Sequence, residues 1–549
     1  MSSLSKVTVE AFMKCSTPKL IGGVFMSEQP KSKIDMSSGW KSFEELKESY
    51  SPAEIKFEKA RRSIGLWLGP LLFMIILLMP APAGLTFKAQ EVLAITALTI
   101  TWWICEPIPI PAAGLIPFIM IPAMSIIPLK DFLAVLGHEN NWLMIGAYIF
   151  IGALVQHGFT KRMALWILSR KVASVSPFAL LFTYTLAVAI VSAFLSNIAC
   201  TMLFLVIGAG VAEALNINNV HPFSKAMKFG AAYGSQAGGF MTPIGSPNTN
   251  FLAMGLIASL TGYQVRFGDW MAFGIPFGIV MLVIMIFYFR GIFNLKLENL
   301  GSAREYAERE LKAMGPLTVG ERNGLIVLIT AIVLWLVPSV ASMILGKDAA
   351  LTKYLDTVLN GTIVALFAAL LAFLLPTDWK ERKFTVNWTN SEREVNWGAI
   401  IIVTTGFALG NAMNAKDVGL LAWSANQLSY VFAGSSPWMV ILGLTTIGVA
   451  LTQFLPNVPA IAMLIPIAVP TALAVGLNPV AIGLTVAIAC QQSYAMPIAA
   501  PQMALVYGSG GLKITEFVKV GSVLSLFSIP ITAFVIYNWT NWLFPFLAK

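Results

Sequence analysis

The chain has 549 residues, of which 57% are apolar and only 11% charged, and its mean hydropathy is +0.75. A soluble domain carries about 25% charged residues, so this composition excludes a soluble enzyme and a disordered chain. It predicts an all-α polytopic membrane protein in a lipid bilayer. The net charge of +9 is attributed to basic cytosolic loops, and no nucleic-acid partner is expected. The four cysteines and three histidines are scattered, which predicts no disulfide framework, no metal cofactor and no enzymatic centre.

The N-terminal segment, residues 1–63, is polar and lacks a short apolar core followed by a cleavage site, so it is predicted to be a cytosolic tail. A membrane helix needs about 20 apolar residues, and the apolar stretches after the tail predict eleven spans. The fifth and the tenth are expected to be broken helices. The spans are predicted near residues 64–80, 88–106, 108–128, 140–157, 226–262, 270–289, 323–345, 355–375, 397–414, 480–510 and 520–546.

Two further apolar regions, residues 177–212 and 437–473, are too long for one span and carry polar or proline residues near their middles. Each is predicted to be a re-entrant hairpin, which enters and leaves the membrane on the same side. With this map and a cytosolic N-terminus, 29 of the 36 Lys and Arg residues lie on the cytosolic side, as the positive-inside rule requires. The chain is therefore expected to be a multi-pass protein of the inner or plasma membrane.

Two pairs of short motifs indicate an internal repeat. Residues 194–197 (FLSN) recur as 454–457 (FLPN), and residues 242–247 (TPIGSP) recur as 496–501 (MPIAAP). Each half is predicted to hold five spans and one hairpin, and because five is odd, the halves run in opposite directions. Inverted repeats with interrupted helices are typical of secondary transporters. The predicted organisation is a first transmembrane helix and first repeat at 64–295, a cytosolic linker at 296–322 and a second repeat at 323–549.

The motifs lie in residues 172–212, 229–265 and 418–512, which contain no Asp, Glu, Lys or Arg. These segments therefore offer neither an acid to relay protons nor an arginine to clamp an anion. They do offer hydroxyls, asparagine amides, helix N-termini that attract carboxylates and freed backbone carbonyls that suit Na⁺. Interrupted backbone is tolerated in a membrane where protein or a water cavity surrounds it. We therefore predict that a small organic anion and a sodium ion bind side by side at the breaks.

Several segments, taken in order, resemble the divalent anion:sodium symporters, a family that carries di- and tricarboxylates or sulfate. Residues 62–82 and 102–111 are similar to the opening helices of the family, residues 242–248 (TPIGSPN) to its TPIGTPPN loop, and residues 507–521 to its closing segment. The resemblance implies a sodium-coupled secondary transporter of small, dicarboxylate-like anions that works by alternating access. It also implies a homodimer.

The resemblance implies two sodium sites and one substrate site between the hairpin tips and the broken helices. The first sodium site would use Ser192, Ser196, Asn197 and the carbonyl of Gly245. The second would use Thr452, Asn457 and the carbonyl of Ala499. The substrate would meet Asn197, Ile198, Ser246, Pro247, Asn457, Val458, Ala500 and Pro501.

The hairpin tips depart from the Ser-Asn-Thr triplet that this family usually carries. Pro456 stands where a serine is expected and offers no hydroxyl and no N–H, so the second sodium site has lost a ligand. Ile198 and Val458 replace two threonine hydroxyls on the substrate side. A sodium-independent anion exchanger of the same fold is therefore an alternative function, and a transport-inactive membrane sensor is another.

A purely structural role is the alternative interpretation for the same polar residues. Asparagine and serine at helix ends often serve only as caps, which is the alternative for Asn197 and Asn457. Ser192 and Thr452 are each placed to bond back to their own helix. The repetition of the pattern at two unusual breaks favours the binding site. Glu106, at a proline-rich corner, is expected to be structural.

Overall fold

A computed structural model of the protein describes residues 52–297, 300–431 and 436–543. Most of the predicted tail, residues 1–51, lies outside these ranges. The first half of the chain contains α1 (Pro52–Leu78), α2 (Phe87–Cys105), α3 (Ile110–Ala113), α4 (Ile116–Ala123), α5 (Leu129–Leu133), α6 (Glu139–Gln156), α7 (Phe159–Leu168), α8 (Pro177–Ser192), α9 (Asn197–Ala214), α10 (Pro222–Met241), α11 (Pro247–Thr261), α12 (Phe267–Ile292) and α13 (Gly301–Ala313).

The second half is equally helical. It contains α14 (Val319–Leu345), α15 (Ala350–Val358), α16 (Gly361–Leu374), α17 (Trp388–Glu394), α18 (Trp397–Asn414), α19 (Leu420–Val431), α20 (Pro437–Leu451), α21 (Asn457–Ala474), α22 (Pro479–Ala489), α23 (Pro501–Gly508) and α24 (Ile514–Leu543). Short 3₁₀ helices lie at Ala134–Gly137, Lys171–Ser174 and Pro497–Ala499. Two short antiparallel strands, β1 (Pro376–Asp378) and β2 (Lys383–Phe384), follow α16.

Six helices in the described ranges are long and apolar enough to cross a membrane, and the number rises to nine if each of three bent helix pairs is one span. The protein is thus a helical, multi-pass membrane protein, as its composition predicts; the count of eleven stays a prediction. Residues 108–128 form α3 and α4 rather than one continuous helix. Pro117, in the first turn of α4, explains the interruption, because proline lacks the N–H that would continue the helical hydrogen bonds from α3.

Both predicted hairpins fold as two helices joined by a short tip. Each begins with a serine N-cap followed by a proline, a combination that starts helices well because proline at the first position loses no hydrogen bond. Ser176 accepts the backbone N–H of Ala179 at 3.0 Å at the start of α8. Ser436 caps α20 in the same way. Whether the hairpins re-enter the membrane stays a prediction.

The order of elements from α6 to α12 is repeated from α18 to α24. The hairpin helices have 16 and 18 residues in the first half and 15 and 18 in the second. The packing between the halves is reciprocal: α11 of the first half packs against α21 of the second, and α23 of the second packs against α9 of the first. Reciprocal packing is what two halves related by a two-fold axis would produce, and it supports the predicted repeat.

Ion pairs tie the helix ends together in two sets. Each set joins segments that the distribution of Lys and Arg assigns to one side of the membrane. The predicted cytosolic set contains Lys161–Glu310 at 3.3 Å, Arg162–Glu321 at 2.7 Å and Lys225–Glu516 at 2.6 Å. The set on the other side contains Lys88–Asp417 at 2.8 Å and Arg266–Asp356 at 2.7 Å. Glu106 ion-pairs with Arg61 and Arg62, in agreement with a structural role.

Candidate binding site at the helix breaks

The first hairpin tip brings Ser192 and Asn197 into contact. Helix α8 ends at Ser192 and α9 begins at Asn197, with Ser196 as its N-cap. The Ser192 hydroxyl lies 2.9 Å from Asn197 Oδ1 and 2.8 Å from the carbonyl oxygen of Ser235 on α10. The buried serine therefore closes the tip and connects it to the first broken helix.

Glycines in the first broken helix, formed by α10 and α11, let its backbone approach this tip. A Cβ atom added at Gly239 would lie 2.6 Å from Asn197 Oδ1, and one added at Gly245 would lie 2.9 Å from the carbonyl oxygen of Ser192. Both contacts are closer than a side chain tolerates. The structure thus brings Ser192, Asn197 and Gly245 of the predicted first sodium site together, with Ser196 at the same tip.

The break between α10 and α11 is stabilised by two side chains that are not among the predicted site residues. The Thr242 hydroxyl donates to the carbonyl oxygen of Ala193 in the first tip and accepts the N–H of Gly245 at 3.1 Å. The Asn250 amide donates to the carbonyl oxygens of Gly239 and Thr242 at 2.9 and 3.0 Å. These contacts satisfy backbone groups that the break releases from helical hydrogen bonding.

The second tip repeats the geometry of the first without its serine hydroxyl. The Thr452 hydroxyl donates to Asn457 Oδ1 at 2.8 Å, as Ser192 does to Asn197. Pro456 has φ −55° and ψ 147°, and Ser196 has φ −54° and ψ 142°. Proline fits because its ring fixes φ near this value. The tip therefore keeps its shape, while α21 begins without a side-chain cap.

The second break differs from the first. Helix α22 ends at Ala489, and the 3₁₀ helix Pro497–Ala499 precedes α23. Ala499 and Ala500 are buried, whereas Pro501 is exposed. The side chain that links this break to the second tip is Gln453, which bonds to backbone groups of Gln492 and Ala495. Among the described residues, no hydrogen bond joins Ala499 to Thr452 or Asn457; its backbone N–H donates to the carbonyl oxygen of Met496.

The remaining predicted substrate residues flank the two tips. Val458 and Ser246 are buried, with 6% and 8% of their surfaces exposed, and Pro247 is buried as well. Ile198 is half-buried at the first tip. The Ser246 hydroxyl lies 2.7 Å from the Thr249 hydroxyl. Because Thr249 donates its one proton to Gln491, Ser246 is the donor of this pair, and a substrate would compete with Thr249 for its proton.

A buried glutamine cluster joins the two broken helices and was missed by the sequence reasoning. The Thr249 hydroxyl donates to Gln491 Oε1 at 2.8 Å. The Gln236 amide donates to the Ser493 hydroxyl, also at 2.8 Å. The signal available in the sequence is the occurrence of Gln236, Gln453, Gln491 and Gln492 in apolar segments without any charged residue.

The donors gathered at the breaks are oxygens of hydroxyl, amide and backbone groups. Hard cations prefer oxygen ligands, so this set suits Na⁺ better than a transition metal. In the described part of the chain, no three His, Cys, Asp or Glu side chains come together to hold a metal ion. The N-termini of α9 and α11 lie next to these oxygens and carry the partial positive charge that attracts a carboxylate.

Paired interrupted helices within a multi-pass helical bundle define a class, the membrane transport proteins. Solved structures of this fold include the Alcanivorax borkumensis YdaH transporter, with a TM-score of 0.52 and 13% identity, which covers 82% of this chain and 98% of that chain. Neisseria gonorrhoeae MtrF has a TM-score of 0.51 and 11% identity, and covers 87% and 94%. The family described as "Sodium:sulfate symporter transmembrane region" matches residues 62–546, and this chain belongs to it.

Relatives extend over most of the chain. The sodium-dependent dicarboxylate transporter SdcS of Staphylococcus saprophyticus is 31% identical over 484 residues, covering 86% of this chain and 90% of its own. The protein of the same name from Staphylococcus aureus strain USA300 is 30% identical over 490 residues, covering 87% and 91%. Because the family and these relatives are transporters, the expectation of a transporter rather than an enzyme is confirmed.

Proposed function

We propose that this protein is a secondary active transporter that moves small, dicarboxylate-like anions together with sodium. The observation that carries the proposal is the contact of the first tip with the first break, where Ser192, Asn197 and the Gly245 backbone meet. The Thr452–Asn457 pair repeats half of this arrangement at the second tip. Membership of the sodium:sulfate symporter family and the names of the relatives support the proposal.

The chemistry of the site suits a cation and an anion bound together. Sodium would be held by the oxygens of Ser192, Ser196, Asn197 and the Gly245 carbonyl. The anion would lie between the two tips, where the N-termini of α9 and α21 present N–H groups. The sodium ion offsets part of the charge of the anion and the helix N-termini face the remainder, so the site needs no charged side chain inside the membrane. The substrate-facing residues proposed are Asn197, Ile198, Ser246, Pro247, Asn457, Val458, Ala500 and Pro501.

Transport would proceed by alternating access, with the hairpins and broken helices moving against the remaining helices.

We also propose a cytosolic N-terminus, two inverted repeats at 64–295 and 323–549 joined by the linker at 296–322, and a homodimer. The two sets of ion pairs support the assignment of these segments to two sides, because each set joins segments assigned to one side, and the positive-inside rule assigns the cytosolic side. The homodimer rests on the resemblance to the family alone.

Sodium-independent anion exchange is the second candidate function. It is favoured by Pro456, which leaves the second tip without a serine hydroxyl. The test reconstitutes the purified protein in liposomes and measures uptake of radiolabelled succinate, a four-carbon dicarboxylate. The proposal predicts uptake driven by an inward sodium gradient into empty vesicles. Uptake that needs internal unlabelled succinate and ignores sodium would establish exchange instead.

A further inference from the structure

Gln453 lies at the second hairpin tip, next to Thr452, and its side chain amide is fully engaged. Its Nε2 lies 2.6 Å from the carbonyl oxygen of Val449 and 2.8 Å from that of Gln492. Its Oε1 accepts the backbone N–H of Ala495 at 2.8 Å. Only 7% of the residue is exposed. One neutral side chain thus satisfies two carbonyls and one N–H between the tip and the break.

The first half connects its tip and break by different means. The repeat aligns Gln453 with Ala193, which has no polar side chain, and the connections there are the hydroxyls of Thr242 and Ser192. Thr242 aligns with Met496, which has no hydroxyl, and Gly238 and Gly239 align with Gln492 and Ser493. In the first half, glycine backbone lies against Asn197. The second half has side chains at the aligned positions, and the Gln453 amide lies between the second tip and the second break.

We propose that the Gln453 amide takes the place of a sodium ion in the second half, so that the transporter binds one sodium ion, at the first site. This inference rests on the proposed function. A sodium ion at a helix break holds carbonyl oxygens together by coordination. The two N–H groups of the amide hold the carbonyls of Val449 and Gln492 together by donating to them. Because the amide is neutral and permanent, the second half needs no cation to connect its tip to its break.

Gln453→Glu reverses this arrangement without changing the size of the side chain. A carboxylate has no donor when ionised, so it would place negative oxygens against the carbonyls of Val449 and Gln492. A sodium ion, or a proton bound by the carboxylate itself, must then bridge these oxygens. The Hill coefficient for sodium should rise from about one towards about two, because a Hill coefficient is bounded by the number of sites. Gln453→Ala tests the same point by leaving the two carbonyls open to a cation.

The control is Gln90→Glu. Gln90 is a buried glutamine on α2 that also donates to two backbone carbonyls, those of Ile76 and Met79, both at 2.7 Å. The substitution places a carboxylate against two backbone carbonyl oxygens in the same way, but outside the helix breaks. It should lower stability without changing how stability or uptake depends on sodium.

The experiment measures two quantities as NaCl replaces KCl at constant ionic strength: the unfolding temperature of the purified protein and its initial rate of succinate uptake in liposomes. We expect one-site sodium dependence in the unmodified protein, and steeper or larger sodium stabilisation in both Gln453 variants. If Gln453→Glu does not fold, the sodium dependence of Gln453→Ala alone tests the inference. Wild-type sodium dependence in the folded variants, or a Hill coefficient of about two in the unmodified protein, would overturn the inference.

The unfolding temperature separates this inference from the proposed function. Absence of sodium-driven succinate uptake would contradict the proposed function. If sodium still stabilised the Gln453 variants more steeply than the unmodified protein, the role of Gln453 would stand on its own.

Discussion

Replacing the two tip asparagines separates their role in binding from their role in folding. In Asn197→Ala, the Ser192 hydroxyl loses one acceptor but keeps the Ser235 carbonyl at 2.8 Å. The cost in unfolding free energy should be about 1 kcal/mol, the usual net value of one hydrogen bond. In Asn457→Ala, the fully buried Thr452 hydroxyl loses the acceptor that the structure gives it. An unsatisfied buried donor costs about 1–3 kcal/mol, so this variant should be the less stable.

Transport should respond differently from stability. If both amides meet the substrate, and Asn197 also meets sodium, each variant loses a hydrogen bond or ligand to a charged group, worth about 1.5–3 kcal/mol. That corresponds to about a 10- to 100-fold loss of apparent affinity. The assays are unfolding of the purified protein and succinate uptake in liposomes at matched protein density.

The matched control is Asn141→Ala. Asn141 is a buried asparagine on α6 that donates to the carbonyls of Val135 and Leu136, so its loss should affect stability and leave the apparent affinity unchanged. Wild-type uptake by either tip variant would refute the site assignment. A larger loss of stability in Asn197→Ala than in Asn457→Ala would refute the account of the hydrogen bonds.

Three further substitutions test the geometry of the tips and breaks. Pro456→Ser should change the unfolding free energy by less than about 1 kcal/mol, because a new serine cap and the loss of proline rigidity offset each other; chemical denaturation checks this. Gly239→Ala should abolish uptake, because its Cβ would lie 2.6 Å from Asn197 Oδ1, whereas Gly443→Ala, with nothing within 4 Å, should transport normally. Thr242→Val should lower the unfolding temperature, because the Ala193 carbonyl and the Gly245 N–H lose a buried partner; an unchanged temperature would contradict this role.

The interruptions of the helices could be predicted from the sequence because local chemistry determines them. Proline, glycine and asparagine in an apolar run specify a break wherever the chain folds. Both tips and both broken helices were located in this way, and the described structure has a helix end at each. The same rule holds at 108–128, a segment predicted as one span, where Pro117 begins a second helix, α4, after α3.

The partners of the buried amides could not be predicted because they depend on packing between distant segments. Thr249 and Gln491 are separated by 242 residues, and Gln236 and Ser493 by 257. In the sequence they are polar residues in apolar helices, a pattern that does not show which residues become hydrogen-bond partners. The role of Gln453 was hidden for the same reason, since the carbonyl of Gln492 becomes its partner only once α20 and α22 pack together.

Simultaneous measurement of sodium and anion movement tests the central claim most directly. Liposomes containing the purified protein would receive radioactive sodium with and without external succinate, and radiolabelled succinate with and without external sodium. The account predicts that each solute stimulates uptake of the other, and that Asn197→Ala needs about 10- to 100-fold more of the solute for the same stimulation. Succinate uptake that proceeds equally well without sodium, or sodium entry that succinate does not change, would contradict it.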